Sequence, residues 1–413
     1  MLALLAAGLL LASIPGPLTL DSALSAARAR NLALPIAAQE RAAASEDVRI
    51  ADAERFLTAA IEGDFVYAPR GAYDPAATNL GEERLQLLAR QPIWSGGETR
   101  AHRRRARAAL RASDARVRMA ERDLVLEVTS AFATLVAARE EVQARGHSVD
   151  RLDRYVSLLE QRRAAGDPVS LDLHRTRVRR SRAIQNRGEA LQRAENARIE
   201  LNLQMGGDPE TPVDAVWSDA AAGATRDETF PAPDLAAAEA NLDAARADLE
   251  AARAVRRPHL QLLADAGFWG TDTGHWGTAS DRLQRDRGAS LTLALQWPLF
   301  DLGLTQATVA RARANVVRAQ WERTAAERLA SGFAAKALSA RENLRTRLAT
   351  ASQALPDARD AYLEAESRYR GGVATAVDVL DAEADEVDAE IAIAATAAEL
   401  RIAEALARRW GSE

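Results

Sequence analysis

QPIWSGGETRA (residues 91–101) and WPLFDLGLTQA (residues 297–307) are two copies of one pattern: proline, Ile or Leu, an aromatic, two further residues and a glycine. Pro92 and Pro298 lie 206 residues apart. A second pair, RRAAGDPVSLDLHRT from Arg162 and YRGGVATAVDVLDAE from Tyr369, keeps the same offset: Gly166 to Gly372 and Asp172 to Asp378 are again 206. Two dissimilar landmarks with one offset indicate a duplication of about half the chain. A third pair, from Pro35 and from Asp234, is offset by 199, so the second copy carries extra residues before its WPLF motif. Residues 18–205 then form a first structural repeat and 233–413 a second, joined by a Gly/Pro/Asp-rich linker at 206–232.

Each copy switches from a helical to a strand period and back. Asp21 to Arg55 reads as one Ala-rich helix with Asp21 at its cap. Leu57, Ala59, Ile61, Phe65 and Tyr67 then alternate with polar residues, and Leu85, Leu87, Ala89 and Ile93 share a face. In the second copy a strand near His259–Trp269 precedes Leu291, Leu293, Leu295 and Trp297, which alternate with Ser290, Thr292 and Gln296. Each half therefore carries one hairpin with an apolar and a polar face. Proline-free helical runs follow, from Gly97 to Arg163 and from Gly303 to Leu355. The first is roughly 100 Å long at 1.5 Å per residue. Leu110, Val117, Leu124 and Ala131 recur every seven residues, with Val128 and Leu135 beside them, as a coiled coil requires. Gly146 and Pro356 are expected to bend or break these helices.

The fold class is mainly α with a small β part: a long coiled-coil assembly plus four strands per chain. Four strands cannot close a transmembrane barrel, which needs about eight or more. The protein is therefore expected to oligomerise, three copies supplying twelve strands. Glu62, Asp64, Thr292 and Gln296 would face a watery lumen, and Trp94, Trp297 and Phe300 would form an aromatic girdle. Soluble hairpins that merely cap the helices of a periplasmic coiled-coil scaffold are the competing reading. Osmotic shock would release such a scaffold, whereas a barrel stays with the membrane.

Composition excludes other classes. With no cysteine, disulfides, thiolate metal sites and cysteine nucleophiles are absent. A net charge of -5 gives no basic footprint for nucleic acid. Five histidines show no metal-ligand spacing, and no P-loop, dinucleotide fingerprint or nucleophile elbow occurs, so neither an enzyme nor a cofactor is expected. Residues 1–17 begin with an apolar run too short to span a bilayer, with Ser13 and Gly16 near a cleavage point, and read as a signal peptide or its remnant. The basic run Arg100, Arg103, Arg104, Arg105 and Arg107 is either a solvated helix face or a contact for lipid phosphates.

The paired motifs at 91–97 and 297–303, together with those at 162–173 and 369–379, resemble the TolC-like outer-membrane efflux factors over essentially the whole chain after Leu18. That resemblance implies a homotrimer with a twelve-stranded barrel in outer-membrane lipid and a helical tunnel crossing the periplasm. It would be a passive exit duct for efflux or type I secretion, partnered by a periplasmic adaptor and an inner-membrane transporter. The strand-to-helix interface falls on Pro92, Trp94, Gly97, Trp297, Pro298, Phe300 and Gly303. Gly166, Pro168, Gly371 and Gly372 form the hairpin tips that meet the adaptor. Asp378 and Asp381, one turn apart, match the acids that ring the periplasmic constriction and favour cations, where rings of like charge would raise their own pKa values. A helix cap formed by Thr375 and Asp378 is a compatible local reading. Tyr369 and Asp172 match gate contacts, while the family's partnering arginine falls at Ala374, leaving Arg368 or Arg370 to rebuild the latch. Leu302, at the place of Gly96, and Pro356 also depart from the family pattern.

Overall fold

A computed structural model describes residues 17–67, 81–217, 232–271 and 287–410. The N-terminal leader expected before residue 17, both hairpin loops and the middle of the linker lie outside the described residues. In order, the elements are α1 (Leu20–Arg30), α2 (Ala33–Ala53), β1 (Thr58–Tyr67), β2 (Gly81–Trp94), α3 (Glu98–Ala164), α4 (Ser170–Gln204), α5 (Pro233–Ala254), β3 (His259–Thr271), β4 (Arg287–Gln296), α6 (Leu304–Arg370) and α7 (Ala376–Trp410). Helices α3 and α6 each have 67 residues, and α4 and α7 each have 35. The 206-residue offset thus holds at both ends of both pairs.

The chain forms two compact units, and each takes segments from both halves of the sequence. The first comprises Met1–Ala38, Arg116–Asp234 and Glu327–Glu413. Its core gathers Leu124, Val128, Phe132 and Leu135 of α3 with Ala23 and Ala27 of α1 and Leu201 of α4. Leu18 pairs with Ala215 in an isolated parallel bridge over this cluster, and Trp217 meets Phe132 edge-on at 5.1 Å. The helix expected over Asp21–Arg55 is two helices. It breaks at Asn31, whose side chain donates to the carbonyl of Gln204 and accepts from Ala33 N–H, both at 2.8 Å. The cap of α1 is Thr19, in a capping box with Ser22; Asp21 sits in the first turn instead.

At the end of α7, Arg409 is only 4% exposed and binds Asp123 of α3 and Asp234 of α5. Its guanidinium lies 4.3 Å over the Trp410 ring, which stacks on Phe333. Pro356 lies inside an uninterrupted α6, and Gly146 inside an uninterrupted α3, so neither breaks its helix. A proline removes one ladder bond, and several turns of helix on either side carry the element across it.

The second unit comprises Gln39–Ala115 and Leu235–Ala326. Its helices pack on alanines spaced by seven: Ala44 and Ala51 on α2, Ala101, Ala108 and Ala115 on α3, Ala240, Ala247 and Ala254 on α5, Ala312 and Ala319 on α6. Small residues let helix backbones approach closely. On this stretch of α3 the buried seam is therefore alanine, and Leu110, an expected heptad residue, is only half-buried. The arginine run faces carboxylates of α2 and α5. Arg103 binds Asp52, Arg104 binds Glu250 at 2.6 Å, and Arg105 binds Asp248 at 2.9 Å. Arg103, Arg104 and Arg105 thus form an interhelical ion-pair ladder, with the side chains of Arg104 and Arg105 still more than half exposed.

Four antiparallel strands form one sheet in the order β1-β2-β3-β4. The expected hairpins are both present, and β2 joins β3 to make them continuous. Residues directly opposite share a face. One face carries the rows Ile61–Leu87–Ala266–Ala289 and Ala59–Ala89–Ala264–Leu291. The other carries Glu62–Gln86–Gly267–Gly288 and Ala60–Leu88–Asp265–Ser290.

Candidate functional site: an amphipathic sheet and paired hairpin tips

The sheet's apolar face is bare. Ile61, Leu85, Leu87, Phe268, Leu291, Leu293 and Leu295 are all exposed. A contiguous apolar surface of this kind in water marks a contact with membrane or partner. The opposite face is polar and internally paired: Arg84 holds Asp64 at 2.9 Å, and Ser290 donates to Asp265. Strands β1 and β4 have no neighbour on their outer sides among the described residues. Such edges offer unsatisfied backbone groups to another strand.

The strand-to-helix turns explain the two conserved-looking motifs within this chain. After Pro92 and Trp94, Gly96 and Gly97 adopt φ of +62° and +100°, and Ser95 accepts from Thr99 N–H at the start of α3. After Pro298 and Phe300, Leu302 and Gly303 adopt φ of +51° and +90°, and Asp301 accepts from Thr305 N–H at 3.0 Å. Leu302 thus occupies the left-handed conformation of Gly96 and is the one non-glycine to do so among the described residues. The cost for an L-residue is about 1–2 kcal/mol. Space explains why only one copy tolerates it: a Cβ on Gly96 would lie 2.7 Å from Arg257 Cβ, whereas Leu302 is 88% exposed. Trp94, Trp297 and Phe300 are exposed beside the sheet, Phe300 at 83%. Trp297 is anchored by its indole N–H donating to Arg256 O at 3.2 Å.

The hairpin tips belong to the first unit. Gly166 (φ +99°) and Gly372 (φ +76°) each terminate a 67-residue helix. Asp167 N–H returns to Arg162 O, and Val373 N–H to Arg368 O, as a Schellman turn demands. Pro168 and Gly371 complete the two turns without a left-handed φ. Beneath them Leu152, Tyr155, Leu159 and Leu173 of the first hairpin pack with Tyr369, Val379 and Leu380 of the second.

Each tip acid has a defined partner set. Thr375 N–H and Oγ–H donate to Asp378 Oδ2 at 2.7 and 2.8 Å, and Asp378 N–H returns to Thr375 Oγ1. These donors, the backbone one foremost, hold the Asp378 carboxyl below the usual carboxylate range. Within the chain the capping reading of Asp378 holds. Asp381 is exposed and accepts from Arg179 Nη2 of α4 at 3.0 Å. Tyr369 is buried edge-on to Tyr155 at 5.3 Å, with Arg162 5.5 Å from its ring centre. Its hydroxyl is buried beside that of Tyr155 and makes no further side-chain hydrogen bond among the described residues; Asp172 is half-buried. Burial and then the neighbouring Tyr369 push the Tyr155 phenol far up, with Asp172 contributing. Arg368 and Arg370 pair with Glu364 and Glu366 one turn back in their own helix, with both arginine side chains still about two-thirds exposed (64% and 66%).

A buried ionic group next to the tips is not visible in the motifs. Glu383 and Glu386, each 4% exposed, face Arg151 of α3 at 3.6 and 3.0 Å; Arg359 of α6 binds Glu386 and Glu390. The signal in the sequence is spacing: Val379, Glu383, Glu386 and Val387 recur on the buried face of α7. Burial pushes the Glu383 carboxyl up, against the opposing pull of Ser148 and Arg151. Glu383 therefore holds its proton more tightly folded than unfolded. The stability this confers is complete below the ordinary value of 4.5 and is lost as pH rises through the raised one. Glu383→Gln is expected to raise the urea midpoint at pH 7 and to match the parent near about pH 4. A lower midpoint at pH 7 would mean that the carboxylate's bond to Arg151 outweighs its burial.

Among the described residues no helix is long and apolar enough to cross a membrane, and no group of three His, Cys, Asp or Glu is placed to hold a metal. A model of the family described as outer membrane efflux protein matches residues 23–207 and 231–412. This chain belongs to that family. Outer membrane protein OprJ of Pseudomonas aeruginosa is 31% identical over 294 residues, 68% of this chain and 59% of OprJ. The pyoverdine export outer membrane protein OpmQ of the same organism is 27% identical over 78% of this chain and 68% of its own length. The chain spans about three fifths to two thirds of these relatives. Among solved structures, the Campylobacter jejuni CmeC outer membrane channel aligns at a TM-score of 0.83 with 18% identity, covering 95% of this chain and 86% of CmeC. The outer membrane protein VceC of Vibrio cholerae aligns at 0.82 with 19% identity, covering 95% and 96%. These likenesses establish the fold of this family member.

Proposed function

We propose that the chain is the outer-membrane channel of a tripartite efflux or type I secretion system, a passive conduit and not an enzyme. The observation that carries this reading is the four-stranded sheet with one bare apolar face, one polar face and two unpaired edges. Water disfavours that apolar face, and lipid accepts it only if the edges are closed by further strands. Three copies close a twelve-stranded barrel, with Glu62, Asp64, Thr292 and Gln296 lining the lumen. Trp94, Trp297 and Phe300 then sit at the lipid interface beside Pro92, Gly97, Pro298 and Gly303. The duct extends into the periplasm, after export directed by a leader at 1–17 and with the two repeats 18–205 and 233–413 joined at 206–232. Gly166, Pro168, Gly371 and Gly372 present the tips to a periplasmic adaptor that links the duct to an inner-membrane transporter. Asp378 and Asp381 ring the constriction. Tyr369 and Asp172 supply gate contacts between neighbouring copies. Names of relatives support the efflux branch of this reading: OpmQ is described as a pyoverdine export outer membrane protein.

The test is fractionation followed by planar-bilayer recording. Recovery in the outer membrane, solubility only in detergent and discrete conductance steps are expected. Release of the protein by osmotic shock, soluble without detergent, would instead establish a periplasmic scaffold.

A further inference from the structure

The two acids on the α7 face proposed to line the constriction have chemically different partners. Asp378 receives an amide N–H and a hydroxyl, both neutral, so its negative charge is retained at the tip. Asp381 receives a guanidinium, and the Nη2–Oδ1 distance is 3.0 Å. Arg179 comes from α4, in the other hairpin of the same chain, and its side chain is itself about one-third exposed (37%). A cation and an anion at contact present a dipole to a passing ion, whose field falls off faster than that of a bare charge.

We propose that Arg179 is a selectivity-determining residue of the channel: it neutralises Asp381 and leaves Asp378 to set the preference for cations. The inference rests on the proposal that these acids line a constriction shared by three copies. In such an arrangement the Asp378 level carries a charge from each copy, and the Asp381 level is close to neutral. Narrow pores magnify this difference because low-dielectric walls focus the field. An exposed ion pair contributes little to stability, typically about 0–1 kcal/mol. Removing Arg179 should therefore alter the field and leave the hairpins folded.

The reversal potential of the full-length protein in a planar bilayer under a KCl gradient reads the K⁺/Cl⁻ permeability ratio. Arg179→Gln is expected to raise that ratio about threefold to tenfold by unmasking Asp381. Arg179→Lys, which keeps the charge, should retain the parent value. Asp381→Asn should change the ratio little in the parent and reverse the gain in the Arg179→Gln background. Asp378→Asn, whose amide oxygen still accepts from Thr375, should lower it in either background. Each variant is first shown to migrate as the parent oligomer. An unchanged ratio in Arg179→Gln alongside a lowered one in Asp378→Asn overturns the role of Arg179 alone. No response to either substitution overturns the constriction as well.

Discussion

Arg409→Ala is expected to destabilise the detergent-solubilised protein by roughly 3 kcal/mol, within the range for breaking a buried ion pair. Arg409 is 4% exposed and its guanidinium binds Asp123 and Asp234, so its loss leaves both carboxylates without the cation that joins them. Asp234 is mostly buried, and water reaches Asp123 more readily, which keeps the effect below the upper end of that range. Truncation also removes the stacking over Trp410, itself packed on Phe333. Arg409→Met, which restores volume without charge, should recover only the packing share. Urea unfolding followed by tryptophan fluorescence measures both. A loss under about 0.5 kcal/mol in Arg409→Ala, the range of ordinary surface substitutions, would show that this joint does not hold the first unit together.

Gly267→Val is expected to abolish insertion of the sheet. A Cβ at Gly267 would lie 2.5 Å from Leu85 O and 2.9 Å from Gln86 Cα, both backbone atoms of the adjoining strand. Neither can swing aside as a side chain would, so β2 and β3 must separate where the two hairpins join. Overpacking of this kind costs about 1–3 kcal/mol or more before the loss of pairing is counted. Gly63→Ala is the matched control, since its Cβ meets only ordinary contacts at 3.6 and 3.8 Å. Immunoblots of outer membranes should show Gly63→Ala at the parent level and Gly267→Val absent. Gly267→Val at the parent level would mean that the strands part without consequence.

Much of the fold was legible because duplication writes each landmark twice. Pro92 with Pro298, and Gly166 with Gly372, place the turns, and the alternation at Leu291–Leu295 marks the sheet's apolar face. What escaped depends on partners far along the chain. The break at Asn31 is made by a carbonyl 173 residues away, at Gln204. Arg103, Arg104 and Arg105 read as a basic run until Asp52, Asp248 and Glu250 are seen opposite them. Arg179 and Asp381 lie 202 residues apart, a separation at which no periodicity speaks. The packing seam of α3 around Ala108 and Ala115 escapes for a different reason. Periodicity favours large residues such as Leu110 and Val117, and close-packed helices bury Ala108 and Ala115 in their stead.

Native mass spectrometry of the detergent-extracted protein tests the central claim most directly, because a four-stranded sheet with two open edges serves a membrane only when other copies close it. The account predicts one species with the mass of three chains, retained in detergent micelles. A single-chain species that stays soluble when detergent is removed would contradict it.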